Sequence, residues 1–168
     1  MGSSVLDPSK LPLGDKPYAV GFYFKAISTG GRGLLTYGKD ATSQCNSFQF
    51  YIKNNSYLAL QNYWWGNDAA FNSLCEYTPI NFNSWHSFIA TWDGSRSRYW
   101  FDGVEVFNDS GRLPTAKPNI QAGIFRIGNG QNNGTFKGWM DDVTIWDRAI
   151  TEDEAAYFGK YGLPESYA

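Results

Sequence analysis

Apolar and polar positions alternate with a period of two along most of this chain, as expected of strands that bury one face. In Tyr18–Ile27, YAVGFYFKAI, the residues Val20, Phe22, Phe24 and Ala26 fall on one side of an extended backbone. A short apolar run at Leu34–Tyr37 follows Gly30-Gly31-Arg32-Gly33. FQFYIK at 48–53 and YLALQNY at 57–63 flank Asn54-Asn55-Ser56, which predicts a hairpin because asparagine tolerates the positive φ of tight turns. Further strands are predicted at 85–93, 97–103, 104–107, 124–128 and 136–146, with turns at Asp93-Gly94-Ser95 and Asp102-Gly103.

One segment breaks the alternation. Thr151-Glu152-Asp153-Glu154 is a capping box and opens a short helix that Gly159 and Gly162 would stop. Many short strands at near-regular spacing with one late helix predict an all-β fold: two antiparallel sheets face to face, as a jelly roll or related sandwich. The 168 residues contain no internal repeat or low-complexity stretch, so 1–168 reads as a single domain.

Composition supports a packed sandwich and narrows the partners. Aromatic residues are 18% of the chain and charged residues 18%, which is neither a disordered nor a coiled-coil composition. With a net charge of −2 and its basic residues scattered singly, the chain has no electrostatic footprint for nucleic acid. No apolar run reaches the roughly 18 residues that span a bilayer, so no membrane insertion is expected.

Met1-Gly2-Ser3-Ser4 lacks the basic and apolar regions of a signal peptide, consistent with either a mature secreted domain or a cytosolic protein. Three sequons, at Asn54, Asn108 and Asn133, tilt the reading towards a secreted, extracellular chain. Cys45 and Cys75 either close one disulfide, worth about 3 to 4 kcal/mol over a loop of about 30 residues, or remain two thiols.

Two stretches together carry a family resemblance. Trp85-His86-Ser87-Phe88-Ile89-Ala90-Thr91-Trp92-Asp93-Gly94 with Tyr99-Trp100-Phe101-Asp102-Gly103 is one. Ile127-Gly128-Asn129 followed by Phe136–Thr151 is the other. Their order and spacing resemble the laminin-G-like and pentraxin-like domains of the concanavalin A-like lectin and glucanase superfamily. The resemblance spans about residues 18–162, apart from 45–83. It implies a concanavalin A-like sandwich, glycan or protein binding as the usual activity, and calcium as a frequent companion.

Catalysis is not expected. Glycosidases of that superfamily carry Glu-x-Asp-x-Glu on one strand, placing nucleophile and general acid on one face. The five glutamates here, Glu76, Glu105, Glu152, Glu154 and Glu165, form no such run. Glu152 and Glu154 are two apart on the expected helix and do not meet. The single histidine, His86, stands where the family has a structural strand residue, and no Gly-x-Ser-x-Gly elbow occurs. Gly128-Asn129-Gly130 reads as a turn, since no βαβ unit surrounds it.

Three candidate sites remain. Asp141 shares strand parity with Val143 and Ile145 and is expected to face the core, where an ionised carboxylate needs a partner. The resemblance implies structural Ca2+ held by Asp141, and carbonyls near Gly14 would suit its oxygen shell. The alternatives are an arginine partner or a cap on backbone amides. For sugar, Asn62, Trp64, Trp65, Asn67 and Asp68 supply, around Tyr63 and Gly66, indole faces for C–H surfaces and amide and carboxylate groups for hydroxyls. Trp100 alternates with Tyr99 and Phe101, and would be a third aromatic platform if those two face the core. The amide-rich stretch 129–134 reads as a turn. The leading function is therefore a glycan-binding lectin or carbohydrate-binding module. A protein-binding adhesion or pentraxin-type module is the second reading. A homo-oligomer is compatible with either, since multivalency strengthens weak sites.

Overall fold

The computed structural model describes residues 11–27, 33–39, 47–53, 57–62, 80–108, 119–130 and 134–163, with 47–49, 53, 57–62, 107–108 and 130 described by backbone alone. The alternating segments form strands almost where the pattern places them. In chain order these are β1 Tyr18–Ala26, β2 Gly33–Gly38, β3 Ser47–Lys53, β4 Tyr57–Asn62, β5 Trp85–Trp92, β6 Ser97–Phe101 and β7 Val104–Asn108. Then follow β8 Ile124–Ile127, the short β9 Asn129–Gly130 and β10 Gly134–Thr135, and finally β11 Gly138–Trp146 and the helix α1 Glu152–Tyr161.

Two sheets result. One has the order β11-β1-β5-β6-β7, and the other runs β4-β3-β2-β10-β9 with β8 paired to β2. The expected hairpin of β3 and β4 pairs antiparallel from Lys53 opposite Tyr57 to Phe48 opposite Asn62. The ends of the stretch read as a turn at 129–134 pair with each other as β9 and β10. Both central residues of the Asp102-Gly103 turn have positive φ, 49° and 76°, the backbone of a type I′ hairpin whose twist matches the strands it joins.

The core lies between the sheets. Val20, Phe22, Phe24 and Ala26 of β1 are fully buried there with Leu35 and Tyr37 of β2, Phe50 and Ile52 of β3, and Phe88 and Trp92 of β5. Tilted ring contacts join Phe22 to Phe24, Phe50 and Phe88 at 5.6–6.0 Å, the offset geometry that aromatic pairs prefer.

A second layer covers the outer face of the β1 sheet. Thr151 caps α1 by accepting from the Glu154 amide while Glu154 accepts from the Thr151 amide, and Gly162, with φ of 76°, ends the helix. Gly159 stays inside the helix instead of stopping it. Phe158 and Ala155 of α1 pack with Ala19, Ile89, Trp100 and Ile150 in a second apolar cluster. Tyr23 donates to the Phe158 carbonyl at 2.5 Å, which ties the helix to β1.

Candidate functional site

The sequence-predicted residues separate into three groups: one outside the described residues, and two that the tertiary structure rearranges. Trp64, Trp65, Asn67 and Asp68 lie outside the described residues, as do Cys45 and Cys75. Asn62 ends β4, the edge strand of its sheet, opposite Phe48.

Trp100 corrects an expectation. Tyr99 and Phe101 do face the inter-sheet core, so Trp100 does point to the opposite face. That face, however, is roofed by α1, and Trp100 is only 1% exposed. The Arg98 guanidinium lies 4.7 Å from its ring centroid, held by Glu105 of β7 and by Glu152 of α1 at 3.0 Å. An indole so enclosed presents no platform to a sugar.

Asp141 corrects another. Met140, Val143 and Ile145 pack against the core, but Asp141 does not share their face. The pairing of β1 with β11 shifts between Gly21, opposite Thr144, and Tyr23, opposite Asp141. Two residues, Asp142 and Val143, thus face Phe22 alone, and Asp142 has φ of 48°. This is a β-bulge, which adds a residue and reverses the side-chain phase on one side. Asp141 is exposed on the outer face, its Oδ1 accepting from the Asp142 amide at 2.9 Å.

With that reversal, calcium at Asp141 no longer has the argument from a buried carboxylate, because a solvated one needs no counter-charge. Of the carbonyls near Gly14 that would suit calcium, that of Gly14 itself accepts from the Ile120 amide at 2.9 Å. No group of three acidic, histidine or cysteine side chains suited to a metal occurs among the described residues. Lys160 shares the depression with Asp141 and Asp142. Two carboxylates beside an ammonium, the donor set among the described residues, do not fit calcium's all-oxygen shell.

His86, Asp102 and Ser87 look at first like parts of a nucleophilic triad. His86 Nδ1 is 2.8 Å from Asp102 Oδ2, and the ring is buried. Its Nε2, however, lies 3.1 Å from the Asn81 carbonyl oxygen, and Ser87, the next residue of the strand, projects to the opposite face and donates to the Gly159 carbonyl. Two acceptors on two nitrogens favour the doubly protonated ring. Burial disfavours that charge, but the bond and charge of Asp102 and the Asn81 carbonyl outweigh it, so the imidazole pKa is raised.

A raised folded-state pKa stabilises fully below the ordinary imidazole value of about 6.5 and ceases to do so as pH rises through the folded value. With one histidine in the chain, a urea midpoint that falls as pH rises above about 6.5 is expected from this pair. The fall should flatten in Asp102→Asn, and identical slopes in both proteins would exclude the linkage. The helix glutamates are engaged likewise. Arg148 bonds Glu154, whose carboxyl it and the Thr151 amide hold down at about 2, while Glu152 meets Arg98.

One surface feature escapes a reading of the sequence. Beyond the end of α1, the outer face of the sheet carries Trp139, Lys25 and Trp85 in one register row across β11, β1 and β5. Trp85 is 48% and Trp139 55% exposed, and the Lys25 ammonium sits 5.5 Å from the Trp139 ring centroid. The next row holds Asp141, Tyr23 and Ser87. A depression of about 240 Å³ opens there, lined by Tyr23, Trp85, Asp141, Asp142, Lys160 and Tyr161 with Gly162. Strand parity extended back from Val143 would send Trp139 to the core with Asp141, so only knowledge of the bulge could reveal this row.

Several solved structures share the fold. The heptameric SAP-like pentraxin of Limulus polyphemus is similar over 92% of this chain and 76% of its own, at 16% identity and TM-score 0.66. Domain 4 of an extracellular arabinanase of Geobacillus stearothermophilus, in complex with arabinotriose, aligns over 89% of this chain and 69% of its own, at 19% identity and TM-score 0.63. The carbohydrate-binding module of the Ruminococcus gnavus IT-sialidase aligns over 87% and 84%, at 15% identity and TM-score 0.60. No curated relative matches the sequence. The family model of a laminin-G-like domain matches residues 2–156, and by that match the chain belongs to this family of the concanavalin A-like lectin and glucanase superfamily.

Proposed function

We propose that this domain is a non-catalytic carbohydrate-binding module, acting outside the cell and meeting glycan through Asn62 at the end of β4 and the residues Trp64, Trp65, Asn67 and Asp68 that follow it in the chain. The observation that supports the reading most is that similar folds hold sugars: the arabinanase domain with arabinotriose, and the sialidase module with α2,6-sialyllactose. Both nitrogens of His86 are engaged and the helix glutamates are paired with arginines, which favours binding over catalysis.

A glycan array probed with the intact domain tests the reading. Stacking on an indole contributes on the order of 1 kcal/mol, so one of Trp64→Ala and Trp65→Ala should weaken binding there several-fold. Thermal unfolding of that variant should stay within about 0.5 kcal/mol of the parent, as for a surface substitution. A domain that binds nothing on the array but captures a protein partner would favour the pentraxin-type reading instead.

A further inference from the structure

We propose that the outer face of the helix-bearing sheet, beyond the end of α1, is a second glycan site, with Trp85 and Trp139 as stacking platforms for a neutral oligosaccharide. The inference rests on the glycan-binding reading above and adds a face that the stretch around Trp64 and Trp65 does not include. The two tryptophans lie on strands separated only by β1, so their backbone positions are about 10 Å apart by two inter-strand spacings, roughly the span of a disaccharide. Each leaves about half its surface in water, where an apolar ring of that size would ordinarily be covered.

The groups beside the rings are those that sugar hydroxyls need. Lys25 stands between the indoles in the register row as a donor, and Lys160 lines the adjoining depression. Asp141 and Asp142 provide acceptors on the same side. Asp141 engages Oδ1 with the Asp142 amide, and its exposed carboxylate can accept from a hydroxyl as well. Two ammonium and two carboxylate groups balance in charge, so the face suits a neutral sugar better than a sialylated one.

The bulge is what assembles the site. Left-handed backbone at an aspartate costs energy, and it persists here because the Asp142 carboxylate accepts from the Leu163 amide at 3.3 Å, just past the end of the helix. Without the added residue, Asp141 and Trp139 would point to the core side.

The test uses the full chain with arabinotriose, cellotriose and 3′-sialyllactose as probes, and a protein in which Trp64→Ala and Trp65→Ala remove those two rings. In that background a neutral trisaccharide should still bind. Adding Trp85→Ala or Trp139→Ala should then weaken it about fivefold, the equivalent of one lost stacking ring, at an unchanged melting temperature. In the parent protein the indole N–H resonances of Trp85 and Trp139 should shift on titration with the same trisaccharide, which keeps the proposal testable if the double variant does not fold. If the parent binds sugar but neither resonance moves and neither substitution matters, this face is no glycan site while the module reading stands. If instead Trp85→Ala and Trp139→Ala dissolve a dimer without affecting sugar, the face joins two copies. A parent that binds no sugar on the array overturns both readings.

Discussion

Replacing Trp100 by alanine is expected to cost about 3–5 kcal/mol of folding stability, the usual penalty for deleting a buried tryptophan. The ring is the largest buried member of the cluster that joins α1 to the outer face of the sheet, which also holds Ile89 and Phe158. Its removal leaves a cavity bounded by elements that cannot easily collapse, since β5 and β6 are paired in the sheet and α1 is held to β1 through Tyr23. It also leaves Arg98 without the ring under its guanidinium, although Glu105 and Glu152 still hold it. Against a total stability on the order of 5–15 kcal/mol, a domain so altered has little left. A urea midpoint measured on Trp100→Ala decides the matter. If sugar binding disappeared while the midpoint stayed where it was, Trp100 would be an exposed platform after all and the packing described here would be wrong.

The second large effect is expected from a substitution that ordinarily stabilises a helix. Gly159 sits inside α1, where alanine is favoured over glycine by about 1 kcal/mol. A Cβ at this position would lie 2.4 Å from the Gly103 Cα and 2.5 Å from its nitrogen. Those atoms belong to the tight Asp102-Gly103 turn, so no side-chain rotation relieves the collision. The helix must lift from the sheet, disturbing the Ser87 hydroxyl's bond to the Gly159 carbonyl and the cluster around Phe158. Gly159→Ala should therefore lose about 1–3 kcal/mol net, in the range of an overpacked core. Calorimetric melting of the variant gives the sign directly, and a raised melting temperature would mean that α1 does not rest on this turn. The same displacement would carry Lys160 and Tyr161 away from the depression beside Trp85, so sugar binding at the outer face should weaken with it.

Features that depend on neighbours in the chain are legible in the residues themselves. The capping box at Thr151 closes within four residues, and both of its bonds form. Asp102-Gly103 forms its type I′ turn because glycine and aspartate tolerate positive φ, whatever lies beyond the hairpin. Val20, Phe22, Phe24 and Ala26 face the core because a strand alternates sides with each residue. The structural role that the family resemblance implies for His86 has its reason in two acceptors, which only the folded chain brings to the ring.

Phase and cover are what local pattern misses. The alternation that works in β1 misplaces Asp141 in β11, because one left-handed residue inverts the pattern and the Asp142 carboxylate that accompanies it meets Leu163 some twenty positions away. Parity tells which side Trp100 takes, but not that a helix from the far end of the chain lies over that side. Trp85, Lys25 and Trp139 look unrelated in the sequence and become one row only when β5, β1 and β11 pair. By itself, then, the sequence determined the strand pattern, the turns and the helix cap, since these rest on the conformational preferences of residues close in the chain, while its two motif stretches carried the superfamily resemblance. The tertiary structure alone decided which aromatic rings stay in water and which carboxylates meet them, because strand register and the docking of α1 minimise exposed surface over the whole molecule, a sum to which distant segments contribute as much as neighbours.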